Sequence, residues 1–68
     1  MRIRDVREDR DLTQKEVAVY LHIQQNTYSQ YESGKRQLPI EHLISLARLY
    51  GTSTDYLLGL TDIETPYP

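Results

Sequence analysis

The sequence predicts an all-α domain of five short helices, and three observations carry that expectation. Apolar residues recur at helical spacing, most completely at Ile40, Leu43, Leu46, Ala47 and Tyr50. Helix punctuation stands at matching places: Thr13-Gln14-Lys15-Glu16 has the form of a capping box, and Gly34, Gly51 and Gly59 each close a helical segment. No stretch alternates apolar and polar residues as a half-buried strand would, and there is no internal repeat or low-complexity run.

Each element has its own signal. In MRIRDVREDRDL, Ile3 and Val6 stand three apart among charges and predict a short first helix with one buried stripe. At the second helix, about 14–21, Thr13 accepts from the backbone N–H of Glu16 while Glu16 reaches back to that of Thr13. Val17, Ala18 and Leu21 are its buried positions, and Leu21-His22-Ile23 ends it with almost no loop. The third helix, roughly 25–32, turns Tyr28 and Tyr31 to one side, and Gly34 suits the left-handed position past its end. Lys35-Arg36-Gln37-Leu38 is a loop, and Pro39 fits the first turn of a fourth helix running to Tyr50, which Gly51 ends. Ser53 caps a fifth helix from Thr54 to Leu58, terminated by Gly59. The final LTDIETPYP, with two prolines and two acids, reads as an extended tail. The expected organisation is one domain over 1–60 followed by a tail over 61–68. Tyr28, Tyr31 and Tyr50 are expected in the core with their hydroxyls at its edge, and His42 at the surface.

At 68 residues there is room for one core and no second module. Without cysteine, neither a disulfide nor a thiolate metal site can contribute stability, which leaves helix packing and a possible dimer. The absence of a signal-like N-terminus or a membrane-length apolar run predicts a cytoplasmic protein, and the size and style suggest a bacterial or phage product. A net charge of −2 argues mildly against a nucleic-acid partner, but it is unevenly placed. Residues 1–36 hold seven Lys/Arg against six Asp/Glu, and residues 37–68 hold one against four. One face can therefore meet phosphate.

An enzyme fits poorly. There is no cysteine nucleophile, no G-x-S-x-G, no Walker A and no H-E-x-x-H, and so small a domain leaves little volume for a substrate pocket. His22 and His42 lie on different elements without a carboxylate cluster, so neither a metal nor any other cofactor is expected.

Two short helices joined by about three residues are the plan of a helix-turn-helix. Gln14, Ala18, Leu21-His22-Ile23, Tyr28, Tyr31 and Glu32 carry the specific pattern. Ala18 is small where the helices must approach closely, and Leu21 and Ile23 bracket the turn. The run LTQKEVAVYLHIQQNTYSQYESGKRQLPIEHLISLARLYGTSTDYLL resembles the phage repressor and Cro-like (Xre) family of helix-turn-helix regulators, over roughly residues 2–60. The resemblance implies a lambda-repressor-like DNA-binding domain, with the helix-turn-helix at the second and third helices. Two positions depart from the family pattern. His22 replaces the usual turn glycine, although histidine tolerates positive φ better than most residues, and Gln24 replaces the usual serine cap.

Gln25, Asn26, Ser29 and Gln30 share one face of the third helix by their spacing. A Gln or Asn amide offers a donor and an acceptor side by side, matching N6 and N7 of adenine. The resemblance places that helix in the major groove, with Gln25 and Gln30 the leading base contacts, then Asn26 and Thr27, and Ser29 behind them. Gln14, Lys35, Arg36 and Ser33 are the phosphate candidates. The resemblance further implies an Arg7–Glu32 ion pair joining the first and third helices, and a homodimer through the fifth helix and the residues after it. Tyr56, Leu57, Leu60 and Ile63 are the interface candidates, with Tyr67 beyond them. The implied function is a regulator, most readily a repressor, that binds a short inverted repeat in double-stranded DNA. The competing expectation is a protein-interaction module of the same fold, such as an antitoxin or anti-repressor with a toxin or another regulator as partner.

Overall fold

Each helix starts and stops where its own residues can satisfy backbone groups. The computed structural model describes residues 1–65, in the order α1 (Ile3–Asp9), α2 (Gln14–Leu21), α3 (Gln25–Ser33), α4 (Ile40–Tyr50) and α5 (Thr54–Leu58). No strand occurs among the described residues. At α2, Thr13 Oγ1 accepts from the Glu16 N–H and Glu16 Oε1 accepts from the Thr13 N–H, both at 3.0 Å. At α5, Ser53 Oγ accepts from the Tyr56 N–H at 3.0 Å. Each such cap contributes about 1 kcal/mol. The connection from α1 to α2 passes through Asp11, a non-glycine residue at φ 56.

All five helices feed one core. Ile3 and Val6 enter from α1, Val17, Ala18 and Leu21 from α2, and Tyr28 from α3. Leu43, Leu46, Ala47 and Tyr50 come from α4, and Leu57 from α5. Leu12, Ile23, Tyr31, Leu38, Leu49 and Tyr56 pack around it half-buried. Each large side chain removed from water contributes about 1.5–3 kcal/mol. With no cysteine in the chain, this burial is the main source of stability.

The first and last elements are tied together. The Arg2 N–H donates to the Leu57 carbonyl at 2.7 Å. Beyond α5 the chain returns beside α1: Arg2 pairs with Asp62, Arg10 donates to the Tyr50 carbonyl at 2.7 Å and meets Glu64 at 3.4 Å, and the Thr52 hydroxyl donates to the Glu64 carbonyl.

Four expectations need correction. Ile40 belongs to the helical stripe by spacing, yet it is 70% exposed, because it opens α4 at the edge of the fold before any other helix overlies it. Pro39 is the residue before α4 rather than part of its first turn. Its φ of −61 suits a helix, but its ψ of 149 is extended. The Tyr28 and Tyr50 hydroxyls lie inside the core instead of at its edge, without a partner at hydrogen-bond geometry among the described residues. His42 is half-buried rather than a surface residue, its ring centroid 6.1 Å from that of Tyr31.

Candidate nucleic-acid interface

The helix-turn-helix is built from local constraints. α2 ends at His22, which takes the left-handed conformation (φ 59, ψ 40) and donates its N–H to the Val19 carbonyl at 3.1 Å. The Ile23 N–H then closes onto the Ala18 carbonyl at 3.0 Å. Three residues, His22 to Gln24, therefore separate the two helices. Ala18 is buried where α2 and α3 pack together, and its single methyl permits the close approach. Gln24 precedes α3 in extended conformation and its side chain makes no capping bond. With no acid in the first turn either, the amide end of α3 stays open to a negative group.

α3 is two-sided. Tyr28 is wholly buried, while Gln25 and Asn26 are exposed and Thr27, Ser29 and Gln30 are half-buried. Gln25, Asn26 and Ser29 line one shallow concavity together with Gln14 from the start of α2. Thr27 and Gln30 do not line it. The Gln30 carbonyl instead organises the end of the helix, accepting from the Ser33 hydroxyl and from the Arg36 N–H, each at 3.2 Å. Gly34, at φ 79, turns the chain away, and Lys35 and Arg36 come next in the exposed loop.

Behind α3, Arg7 Nε and Nη2 donate to the two Glu32 carboxylate oxygens at 2.7 and 3.2 Å. The side chains are only 12% and 4% exposed. Gln14 Nε2 donates to the same carboxylate at 3.0 Å, and Arg7 Nη1 to the Leu12 carbonyl at 2.8 Å. Burial pushes the Glu32 carboxyl up, but the Arg7 guanidinium above all, with the neighbouring Tyr28 hydroxyl and the Gln14 amide, holds it below its ordinary value. One carboxylate thus joins α1, α2 and α3. It also engages one N–H of the Gln14 amide, and the other has no acceptor among the described residues.

A second cleft lies between α1 and α3, lined by Arg4, Arg7, Gln14, Ser29, Glu32 and Ser33. Arg4 did not stand out in the sequence. Its position one turn before Arg7 was the available signal. At the other end of the domain, Leu57 needs correction as an interface residue: it is 0% exposed and has no surface to offer a partner. Leu60, at 74%, and Ile63 are exposed, and Tyr56 is half-buried under the Arg2 guanidinium, 4.4 Å from its ring centroid. Tyr67 lies outside the described residues. No group of three or more metal-ligating side chains occurs among the described residues, and no helix there is long and apolar enough to cross a membrane.

The helix-turn-helix family model HTH_3 matches residues 3–57. The chain belongs to this helix-turn-helix family. Among curated proteins it is similar to the uncharacterized HTH-type transcriptional regulator YobD of Bacillus subtilis, 40% identical over 65 residues, covering 96% of this chain and 58% of that protein. It is also similar to the HTH-type transcriptional regulator ImmR of Bacillus subtilis, 40% identical over 63 residues, covering 93% and 50%. A third relative is the cryptic phage CTXphi transcriptional repressor RstR of Vibrio cholerae, 41% identical over 64 residues, covering 94% and 56%. The chain thus resembles phage repressor and Xre-like helix-turn-helix proteins, and spans about half the length of these relatives. No solved structure matches it.

Proposed function

We propose that this chain is a sequence-specific double-stranded DNA-binding transcription regulator. It acts as a repressor, lays α3 in the major groove and binds a short inverted repeat as a dimer. The supporting observation is the two-sidedness of α3, with Tyr28 buried and Gln25, Asn26 and Ser29 grouped beside Gln14 on the outer face. Gln25 and Gln30 are the leading base readers, each amide suited to a bidentate pair with adenine, and Asn26, Thr27 and Ser29 support them. Gln14, Ser33, Lys35 and Arg36 hold phosphates, which set register without reading sequence. Tyr56, Leu60 and Ile63 are the dimer contacts, and a dimer of this kind meets half-sites about 34–36 Å apart. The names of the relatives, two HTH-type transcriptional regulators and one phage transcriptional repressor, support the regulatory role, and a non-enzymatic, cytoplasmic protein is part of the same proposal.

The test is selection of bound duplexes from a random-sequence pool, with Gln25→Ala run in parallel. Enrichment of an inverted repeat, relaxed by the variant at one base pair per half-site, is the expected result. Binding should weaken steeply with salt, with a log–log slope of about −0.9 for each phosphate neutralised. Folded protein that enriches nothing would refute DNA reading. The second function, a protein-interaction module such as an antitoxin or anti-repressor, is favoured by the exposed Val19, Ile40, Leu60 and Ile63 and by the net charge of −2. It would then be pursued by titration against candidate toxins and regulators.

A further inference from the structure

The arginines of the N-terminal segment are not equivalent. Arg2 is held by Asp62, Arg10 by the Tyr50 carbonyl and Glu64, and Arg7 by Glu32. Arg4 is 68% exposed, and its one ionic contact among the described residues is the 3.5 Å approach of its Nε to Glu8, one turn away on the same helix. An exposed pair of that kind constrains a guanidinium little. Among the described residues its Nη groups have no acceptor.

Arg4 borders the cleft between α1 and α3, a space of about 240 Å³. That is room for roughly eight waters at about 30 Å³ each, and therefore for a tetrahedral anion with part of its shell. Arg7 and Glu32 cancel one another in its wall, so the charge at the cleft is that of Arg4, screened only by its exposed pair with Glu8. The Ser29 hydroxyl and the second N–H of Gln14 supply further donors, while the Ser33 O–H is engaged by the Gln30 carbonyl. Gln14 and Ser29 also line the concavity that holds Gln25 and Asn26. On its other side Arg4 shares a groove with Ser33, Gly34 and Arg36. A nucleic-acid strand whose bases meet Gln25 and Asn26 would carry its backbone along this border.

We infer that Arg4, with Ser29 and Gln14, forms a seat for one backbone phosphate of duplex DNA on the α1 side of α3. The seat rests on the DNA-binding function proposed above and adds an anchor from a helix outside the helix-turn-helix. Guanidinium suits it because its forked donors match two phosphate oxygens at once. Glu8 competes for the same donors.

The experiment measures binding of the 68-residue chain to a random-sequence duplex and to any duplex recovered by selection, across a range of salt. Arg4→Ala should weaken binding to both by about tenfold at low salt and make the log–log slope shallower by about 0.9. The melting temperature should be unchanged. Arg4→Lys should restore the slope but only part of the affinity, and Glu8→Gln should tighten binding about twofold. Arg48→Ala, which removes an exposed charge on α4 outside the cleft, should leave the slope as it is. If the wild-type slope is steep and Arg4→Ala keeps it, the seat is refuted and DNA binding stands. Equal effects of Arg4→Ala and Arg48→Ala, or an Arg4 effect confined to one base pair, refute it as well. A wild-type chain indifferent to both duplexes removes the DNA-binding function and the seat together.

Discussion

Arg7 and Glu32, 25 residues apart in sequence, form a two-pronged ion pair at 2.7 and 3.2 Å that joins α1 to the end of α3. The same arginine holds the Leu12 carbonyl in the connection to α2, and the same carboxylate receives Gln14. Replacing one partner leaves the other charged and enclosed, at a cost of about 3 kcal/mol or more. Arg7→Ala is therefore expected to lower the melting temperature by more than about 10 °C. Thermal unfolding followed by far-UV circular dichroism checks this, and an unchanged midpoint would remove the pair from the stability of the fold.

The pair also sets an acid limit. Burial raises the Glu32 carboxyl, but the Arg7 pair, with the neighbouring Tyr28 hydroxyl and the Gln14 amide, outweighs it and leaves the folded value below the ordinary 4.5. Because the folded value is the lower one, the contribution is complete above about pH 4.5 and is lost as pH falls through the folded value. Stability measured by urea titration should be flat from neutrality towards pH 5 with respect to this group, then fall. Glu32→Gln should be less stable at pH 7, and the gap to wild type should narrow in acid.

At the alkaline end the sign reverses. Burial pushes the Tyr50 hydroxyl up to about 12, and burial followed by the neighbouring Glu32 carboxylate pushes the Tyr28 hydroxyl higher still. Stability from these neutral phenols is complete below their ordinary value of 10.0 and is lost as pH rises through the folded values. Ultraviolet titration should show the Tyr28 and Tyr50 phenols ionising together with unfolding. Tyr50→Phe removes a buried hydroxyl without a partner and keeps the ring that faces the Arg10 guanidinium at 5.6 Å. It should raise stability by about 1 kcal/mol, measured as a higher urea midpoint.

His22 offers a second route to stabilisation. At φ 59 a side chain is strained relative to glycine by about 1–2 kcal/mol, offset in part by the extra freedom glycine has when unfolded. His22→Gly is expected to gain up to about 1 kcal/mol, again read from the urea midpoint. A loss would mean that the imidazole makes a compensating contribution in the turn.

Features determined within a few residues were legible from the sequence. The Thr13–Glu16 reciprocal cap, the Ser53 cap, the left-handed glycines and the positive φ at His22 each depend on neighbours along the chain. Features set by the elements standing opposite were not. Spacing puts Ile40 and Leu43 on one stripe, but only Leu43 has other helices over it. Leu57 and Leu60 read alike as apolar residues near the end, yet one fills the core and the other faces solvent. The left-handed Asp11 and the ties from Arg2 and Arg10 to the returning chain also gave no local signal. At the proposed interface the polar face of α3 was readable from periodicity. The cleft beside Arg4 required two helices to be placed against each other.

The bond from the Arg2 N–H to the Leu57 carbonyl has a topological consequence. With Arg2 also holding Asp62, the beginning of the chain and residues 57–62 lie side by side, so the five helices form a nearly closed circuit. A circuit can be opened elsewhere: a short linker could join Asp62 to Arg2 and new ends be cut at Gly51–Thr52, between α4 and α5. Such a permuted chain would keep every helix in its place and begin with α5, the order of the helices being separable from their arrangement.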